Sequence, residues 1–420
     1  MQVGGKRYTG MNIFRPADIL VPNVKAIEKW SVVACDQYTS DPGYWKESNE
    51  IAGDEPSALR MIIPEAELPF KDVAAESEKI YAVMADYLSE GIFNEYKNSY
   101  IIVERTLADG TVREGIVGMV DLEAYEWTDD SDSPVRATEH TVEDRLPPRV
   151  RVRERALLEM PHIMLFIEDL SDALIKSAEK GDKVYDFELM QGGGHIRGWL
   201  AKDIGAVADS FEGLSDASVL KEKYGTAVNP IIFAMGDGNH SIAAAKNYWN
   251  NVKQSLPTEM QDKHPARFAL AETVNIHDEA IVFEPIHKVI FETDSESFFA
   301  EAEAFLPVDE DGNREITLIT ESGNKTLRMS GLTMGALIGK CEDFCVSYTK
   351  VHGGYIDYIH GDGECIGFAS RKSCAGILMP KIEKSELFRS VIESGPFPKK
   401  SFSIGHAHDK RYYLECRKIK

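Results

Sequence analysis

Cysteine is scarce and scattered. The six are Cys35, Cys341, Cys345, Cys365, Cys374 and Cys416, with no Cys-x-x-Cys pair. That pattern excludes a disulfide framework and a zinc ribbon. Long apolar runs are also missing: none approaches the ~18 residues that a membrane span needs. Met1 to Gly10 has no apolar core of the kind a signal peptide carries. Positive charge is in deficit, with 47 Lys plus Arg against 69 Asp plus Glu and a formal net charge of −22. A field of that sign repels phosphate backbones and anionic lipid, so nucleic acid is an unfavoured partner. There is no internal repeat, and low complexity is confined to the acidic stretch Thr128 to Pro134. The expectation is a cytoplasmic protein with reduced thiols and no membrane partner.

What is present suits a folded chain. Hydrophobic residues make up 43% and charged residues 28% of the 420 positions, ordinary for a globular protein. At ~150 residues per domain, two or three regions are expected. The divisions are an N-terminal α/β region over 1–130, a motif-bearing core over 131–290 and a C-terminal α+β region over 291–420, built as one integrated unit. Apolar spacing predicts a helix from Asp72 to Gly91 and buried strands at Ser31–Cys35 and Pro230–Met235. Hairpins are expected for Tyr100–Leu107 with Val112–Leu122, Val184–Met190 with His195–Ala201, Ile316–Thr320 with Lys325–Met329, and Tyr355–His360 with Cys365–Ala369. Glu154 to Leu158 is expected to begin or continue a helix, and Ser241 to Lys253 to form one. Hairpins mixed with helices predict an α+β (mixed α/β) fold and not a doubly wound parallel sheet.

Chemistry concentrates in Met235-Gly-Asp-Gly-Asn-His-Ser-Ile242, between an apolar strand and an alanine-rich helix. Gly236 and Gly238 let the backbone turn sharply, and a helix N-terminus favours an anion. Asp237, Asn239, His240 and Ser241 add polar side chains there. A phosphate suits such a turn, with Asp237 available to a magnesium ion or as a base. The same residues also serve plain turn geometry and helix capping, and the Walker pattern is absent. Asp36 and Tyr38 follow the Ser31–Cys35 run. The arginines 145, 149, 151, 153 and 155 read first as a solvated helix face paired with nearby carboxylates. Gln191-Gly-Gly-Gly194 reads as a hairpin turn, and His406 with His408 offers too few ligands for zinc.

The turn resembles the Asp-Gly-His-His-Arg element of a bacterial and archaeal family known as domain of unknown function number 1015. Phe14-Arg-Pro16 with Cys35-Asp-Gln-Tyr38, Arg136-Ala-Thr-Glu-His-Thr141, Glu284-Pro-Ile-His-Lys288 and Pro398-Lys-Lys-Ser401 resemble its other blocks in the same order. Asn239 and Ser241 replace the usual His and Arg, and Cys35-Asp-Gln replaces Pro-Pro. The Asp-Gly-x-His element is also similar to a motif of the ParB and sulfiredoxin superfamily, one branch of which contains free serine kinases. The resemblance implies a nucleotide-binding core and a phosphotransferase using Mg2+ with ATP or ADP. Its acceptor would be a small hydroxyl compound, such as a free amino acid like serine. Asp237, His240, Glu139 and Asp36 would be catalytic, with Asp237 on the metal. Gly236, Gly238, Asn239, Ser241, Lys288, Lys400 and Arg136 would hold the phosphates, and Tyr38, Thr141 and His287 the acceptor. The other readings are a non-catalytic nucleotide or metabolite sensor and, behind it, a ParB-like nucleic-acid partner. The oligomeric state is open.

Overall fold

A computed structural model describes residues 2, 3, 6–160, 162–225 and 231–420. The architecture is mixed α/β around two large sheets. A ten-stranded sheet runs in the order Lys180–Glu188, His195–Ala201, Ile101–Thr106, Val112–Asp121, Phe268–Asn275, Met164–Ile167, Phe233–Asp237, Val135–Arg136 and Tyr125–Glu126, with Phe14–Arg15 paired to Val112–Asp121. A six-stranded sheet orders Gly323–Met329, Arg314–Thr320, Cys374–Leu378, Phe283–Phe291 and Tyr355–His360, with Phe402–Ile404 added beside Phe283–Phe291. The first sheet takes strands from either side of residue 131, and the second lies within 283–404. Among the described residues no helix is long and apolar enough to cross a membrane.

Strand periodicity sorts side chains between layers. Ile101 and Val103 enter a core formed with Trp30, Val33, Ile80, Met84 and the C-terminal Tyr412 to Cys416. Tyr100 and Ile102 face the opposite side, where Ile242, Ala243 and Trp249 of the helix Asn239–Gln254 pack. Phe166 and Ala234 enter a third core shared with the six-stranded sheet and the helix Met334–His352. The helix Val73–Ser89 starts on Asp72, whose carboxylate accepts the Ala74 and Ala75 N–H groups, a standard N-cap.

Three of the four expected hairpins form. The fourth does not: Asp362–Ala369 is a helix, and Tyr355–His360 pairs antiparallel with Phe283–Phe291. Cys365 and Ala369, four apart, are its buried residues, so the short apolar run follows helical and not strand spacing. Ser31–Cys35 is extended but forms only a bridge, Val33 to Tyr412. Its backbone bonds go to the C-terminal segment, with Ala34 N–H donating to Arg411 O at 3.0 Å and Tyr413 N–H to Val32 O at 2.8 Å. Near Glu154 the helix is Leu146–Glu154, ending at the first residue of the stretch expected to begin or continue one. The strand expected from Pro230 is Phe233–Asp237, and Pro230 itself lies outside the described residues.

The C-terminal segment is pinned by buried charge. Arg411 Nε lies 2.9 Å from Glu272 and a terminal nitrogen 2.7 Å from Glu415. Arg417 pairs with Glu159 at 2.7 Å while Arg417–Lys418 forms strand pairs with Leu158–Glu159. Residues 410–418 thereby become a wall of the region around the Asp237 turn.

Candidate functional site

The strand Phe233–Asp237 passes into the helix Asn239–Gln254 through Gly238 alone. Gly238 has φ of 80°, and a Cβ there would stand 3.0 Å from Ile163 Cα. Conformation and space both require glycine. Gly236 answers to packing, since its Cβ would stand 2.9 Å from the Phe166 ring. Gly238 is the N-cap, so the helix opens two residues before Ser241, whose N–H donates to Gly238 O at 3.0 Å.

Asp36, His162 and Asp237 converge beside this turn. Each offers one donor atom, and these atoms lie within 4.8 Å of one another. The far atom of every group is engaged elsewhere. Gln37 Nε2 donates to Asp36 Oδ1 at 3.1 Å, and Gly238 N–H donates to Asp237 Oδ1 at 2.8 Å. His162 Nδ1 lies 3.0 Å from the Tyr413 hydroxyl. That oxygen also accepts the Cys35 N–H at 3.1 Å. The Nδ1 side of the ring is thus taken up by Tyr413. Nε2 therefore turns toward the two carboxylates.

Nε2 lies 3.5 Å from Asp36 Oδ2, too far for a good hydrogen bond. His162 is 2% exposed, and its Nε2 and Asp237 Oδ2 are buried with no hydrogen-bond partner. Two donors on one ion, each about 2.1 Å from it, stand about 3.0–3.4 Å apart. The 3.5 Å between His162 and Asp36 stands just beyond that range and the other pairs lie within 4.8 Å, so a small inward shift would bring the three donors onto one cation, with their outer atoms held as metal ligands usually are. Burial opposes charge on both members of the His162–Asp36 pair, yet their attraction prevails. It raises the imidazole pKa and holds the Asp36 carboxyl well below its ordinary value. The donor chemistry also bears on the metal. An imidazole beside two carboxylates suits an ion of the Mn2+, Fe2+ or Zn2+ kind better than Mg2+, which prefers oxygen.

Glu139 borders the same region. Its Oε1 accepts the Ser401 N–H at 3.1 Å, and a bridge from Glu139 to Phe397 fixes its backbone. Burial pushes its pKa up to about 7 against the hydrogen bonds from Ser401 and Phe402 and the charge of Lys410, with Asp237 adding to the rise. Lys410 Nζ stands 3.4 Å from Asp237 Oδ2. Among the expected residues, Asp36, Asp237 and Glu139 therefore share one neighbourhood, and Asn239 adds an Oδ1 buried with no partner.

Other expected residues stand elsewhere or in other roles. His240 Nε2 accepts the Val142 N–H at 3.2 Å, and burial followed by Arg149 and Arg145 lowers its pKa to about 4. It is neutral and has no positive charge to offer a phosphate. Lys288 is fully buried in the six-stranded sheet, 2.5 Å from Glu342 and over the Tyr358 ring. Lys400 lies over the same ring, while its neighbour Ser401 meets Glu139. His287 Nδ1 accepts the Met379 N–H at 3.0 Å and Nε2 faces Asp362, which makes it a packed strand histidine. Arg136 is buried and donates from Nε to Ser133 O at 2.7 Å. Tyr38 stacks on Tyr44 with ring centroids 3.7 Å apart, and Thr141 lies against the Tyr125 hydroxyl.

His162, Lys410 and Tyr413 were not found by the sequence reading. His162 opens an apolar strand with no flanking signal. Lys410 and Tyr413 reach the site only because the C-terminal segment is anchored by Arg411 and Arg417. Gln191 binds Ser48 at 2.6 Å, as a hairpin turn packed on its neighbours.

Among solved structures the chain is similar to a free serine kinase in complex with AMP, at 9% identity, over 72% of this chain and 91% of that one, with a TM-score of 0.37. It is similar to SbnI from Staphylococcus aureus at 8% identity, over 69% and 82%, with a TM-score of 0.34. A conserved hypothetical protein from Pyrococcus furiosus matches at 11% identity, over 70% and 90%, with a TM-score of 0.32. Among curated proteins none matches the sequence. The model of the family described as "Protein of unknown function (DUF1015)" matches residues 15–351, and the chain belongs to that family.

Proposed function

We propose that the protein is a divalent-cation-dependent phosphotransferase, moving the terminal phosphoryl group of a nucleoside di- or triphosphate to the hydroxyl of a small molecule. The observation that carries this reading is the convergence of Asp36, His162 and Asp237 beside the open first turn of the helix Asn239–Gln254. Phosphoryl transfer asks for positioned phosphates and charge stabilisation more than covalent chemistry. A bound cation would neutralise phosphate charge at this point.

The chain's own groups cover the other requirements. Asp36 Oδ2, Asp237 Oδ2 and His162 Nε2 hold the ion, and Tyr413 and Gln37 orient them. The N–H groups of Asn239 and His240 and the ammonium of Lys410 would meet the phosphate oxygens. The acceptor oxygen attacks the terminal phosphorus. The new O–P bond forms as the P–O bond to the nucleotide breaks, and that electron pair stays on the departing nucleotide oxygen. Glu139, with a pKa near 7, takes the hydroxyl proton, the task for which such a value is suited.

The test is turnover. The protein is incubated with ATP or ADP, Mn2+ or Mg2+ and a panel of hydroxyl compounds, free amino acids included, and followed by phosphorus NMR. The reading expects a new phosphate ester, slowed about 100-fold or more in Glu139→Gln with metal binding retained. Nucleotide bound tightly with no acceptor phosphorylated would overturn it in favour of a sensor.

A further inference from the structure

A pocket of about 160 Å³ opens beside the metal-ligand cluster, between the helices Leu146–Glu154 and Asn239–Gln254 and the segment 61–68. His162, Ser241 and Tyr413 are among its lining residues, which ties it to the site just described. Its walls are apolar, chiefly Met61, Ile63, Leu68, Met84, Val152 and Met160. Protein interiors leave few voids larger than a water molecule. An apolar space of about 150 Å³ is enough to bind benzene, and methionine walls adapt to the shape of what enters.

The polar groups of the walls narrow the occupant. Arg149 and Arg153 line the pocket, paired with Glu65 and Glu159 respectively. Glu159 is shared, because Arg417 also binds it. Arg153 Nε is buried with no hydrogen-bond partner, a donor waiting for an acceptor oxygen. The two guanidinium groups and the two carboxylates offset one another here, and Glu65 Oε1 is likewise buried with no hydrogen-bond partner. A carboxylate would meet the unpartnered N–H of Arg153 Nε. Free serine fits poorly, since it has no apolar body to fill the space among the methionines.

We propose that this pocket binds the phosphoryl acceptor, and that the acceptor is a small hydroxy acid with a branched or aromatic apolar body. Its body lies among the methionines, its carboxylate meets Arg153, and its hydroxyl reaches the His162 end. The inference rests on the phosphotransferase reading and names the substrate class for that site.

The test uses mandelate as probe and serine as comparison, titrated calorimetrically into the protein with Mn2+ present. Mandelate is expected to bind and serine not. Ala244→Leu fills the pocket from the helix Asn239–Gln254, and Arg153→Met removes the donor. Each should weaken mandelate at least tenfold while the Mn2+ titration stays as in the wild type. Should Ala244→Leu fail to fold, Met84→Trp fills the same space from the opposite wall. Serine binding with no mandelate binding, or mandelate binding unchanged in the filled variants, overturns the proposal. Loss of this binding with Mn2+ binding intact leaves the phosphotransferase reading standing. Absence of Mn2+ binding in the wild type removes that reading as well.

Discussion

Glu139 and Asp237 are carboxylates of one neighbourhood with different tasks, set by their surroundings. Burial raises Glu139 to about 7 from 4.5, so its ionised form is disfavoured in the folded protein. Its protonated form stabilises the fold fully below the unfolded value near 4.5, and that contribution is lost as pH rises through about 7. Glu139→Gln should therefore raise stability at pH 8 and change it little at pH 4, read from urea midpoints. At about 1.4 kcal/mol per pH unit the gain is at most roughly 3 kcal/mol. Turnover should rise with pH through about 7 in the wild type, as the base loses its proton, and a flat profile would remove Glu139 from that role. Asp237 was legible in the sequence because it sits in a glycine-rich polar turn after an apolar strand, and Asp36 because it follows an apolar run, whereas Glu139, in a charged segment after an acidic loop, was reached only through the family resemblance. His162 was not legible, because a histidine entering an apolar strand reads as core. His240 looked like a phosphate ligand until Val142 N–H took its ring nitrogen, a contact that no spacing in the sequence encodes.

At the scale of elements the turn through Gly238 is the critical joint. Gly238→Ala must place a Cβ at φ of 80° and 3.0 Å from Ile163 Cα. The cost is about 1–3 kcal/mol, expected as a lower denaturation midpoint together with weakened metal binding, because Asp237 moves with the turn. Gly236→Ala should destabilise through the Phe166 ring alone, and the flexible approach of that ring decides how much. The hairpins were legible because the turn chemistry is local: Asp109 accepts the Thr111 N–H at 2.8 Å, and Gly110 has φ of 90°. The segment Cys365–Ala369 was misread because five apolar-rich residues satisfy either period. Its helix is decided by burial of Cys365 and Ala369 against the six-stranded sheet. Ser31–Cys35 has strand composition, yet its partners lie almost 380 residues away, as in the Ala34 to Arg411 bond, and tertiary contact sets its form.

Across the whole molecule the site depends on closing the chain upon itself. Asp36, Glu139, His162, Asp237 and Lys410 come from distant segments, and the buried Arg411 pairs with Glu272 and Glu415 hold the last of them in place. Arg411→Met would leave Glu415 with only the Tyr185 hydroxyl and Glu272 with only the more distant Arg113, and should cost about 3–5 kcal/mol, measured by urea unfolding, with loss of metal affinity in the folded fraction. The formal charge of −22 also acts at this scale. It should slow the arrival of an anionic nucleotide, and salt screens that repulsion within roughly 10 Å at 0.1 M. Association rates of a fluorescent nucleotide in stopped flow should therefore rise as salt increases, and a fall would mean that the local positive field dominates. The central claim is that Asp36, His162 and Asp237 form one cation site, and calorimetric titration of Mn2+ into the wild type, Asp237→Asn and His162→Gln tests it most directly. The account predicts one ion per chain in the wild type and at least a tenfold loss of affinity in either variant, whereas no binding to the wild type, or equal binding to all three, would contradict it.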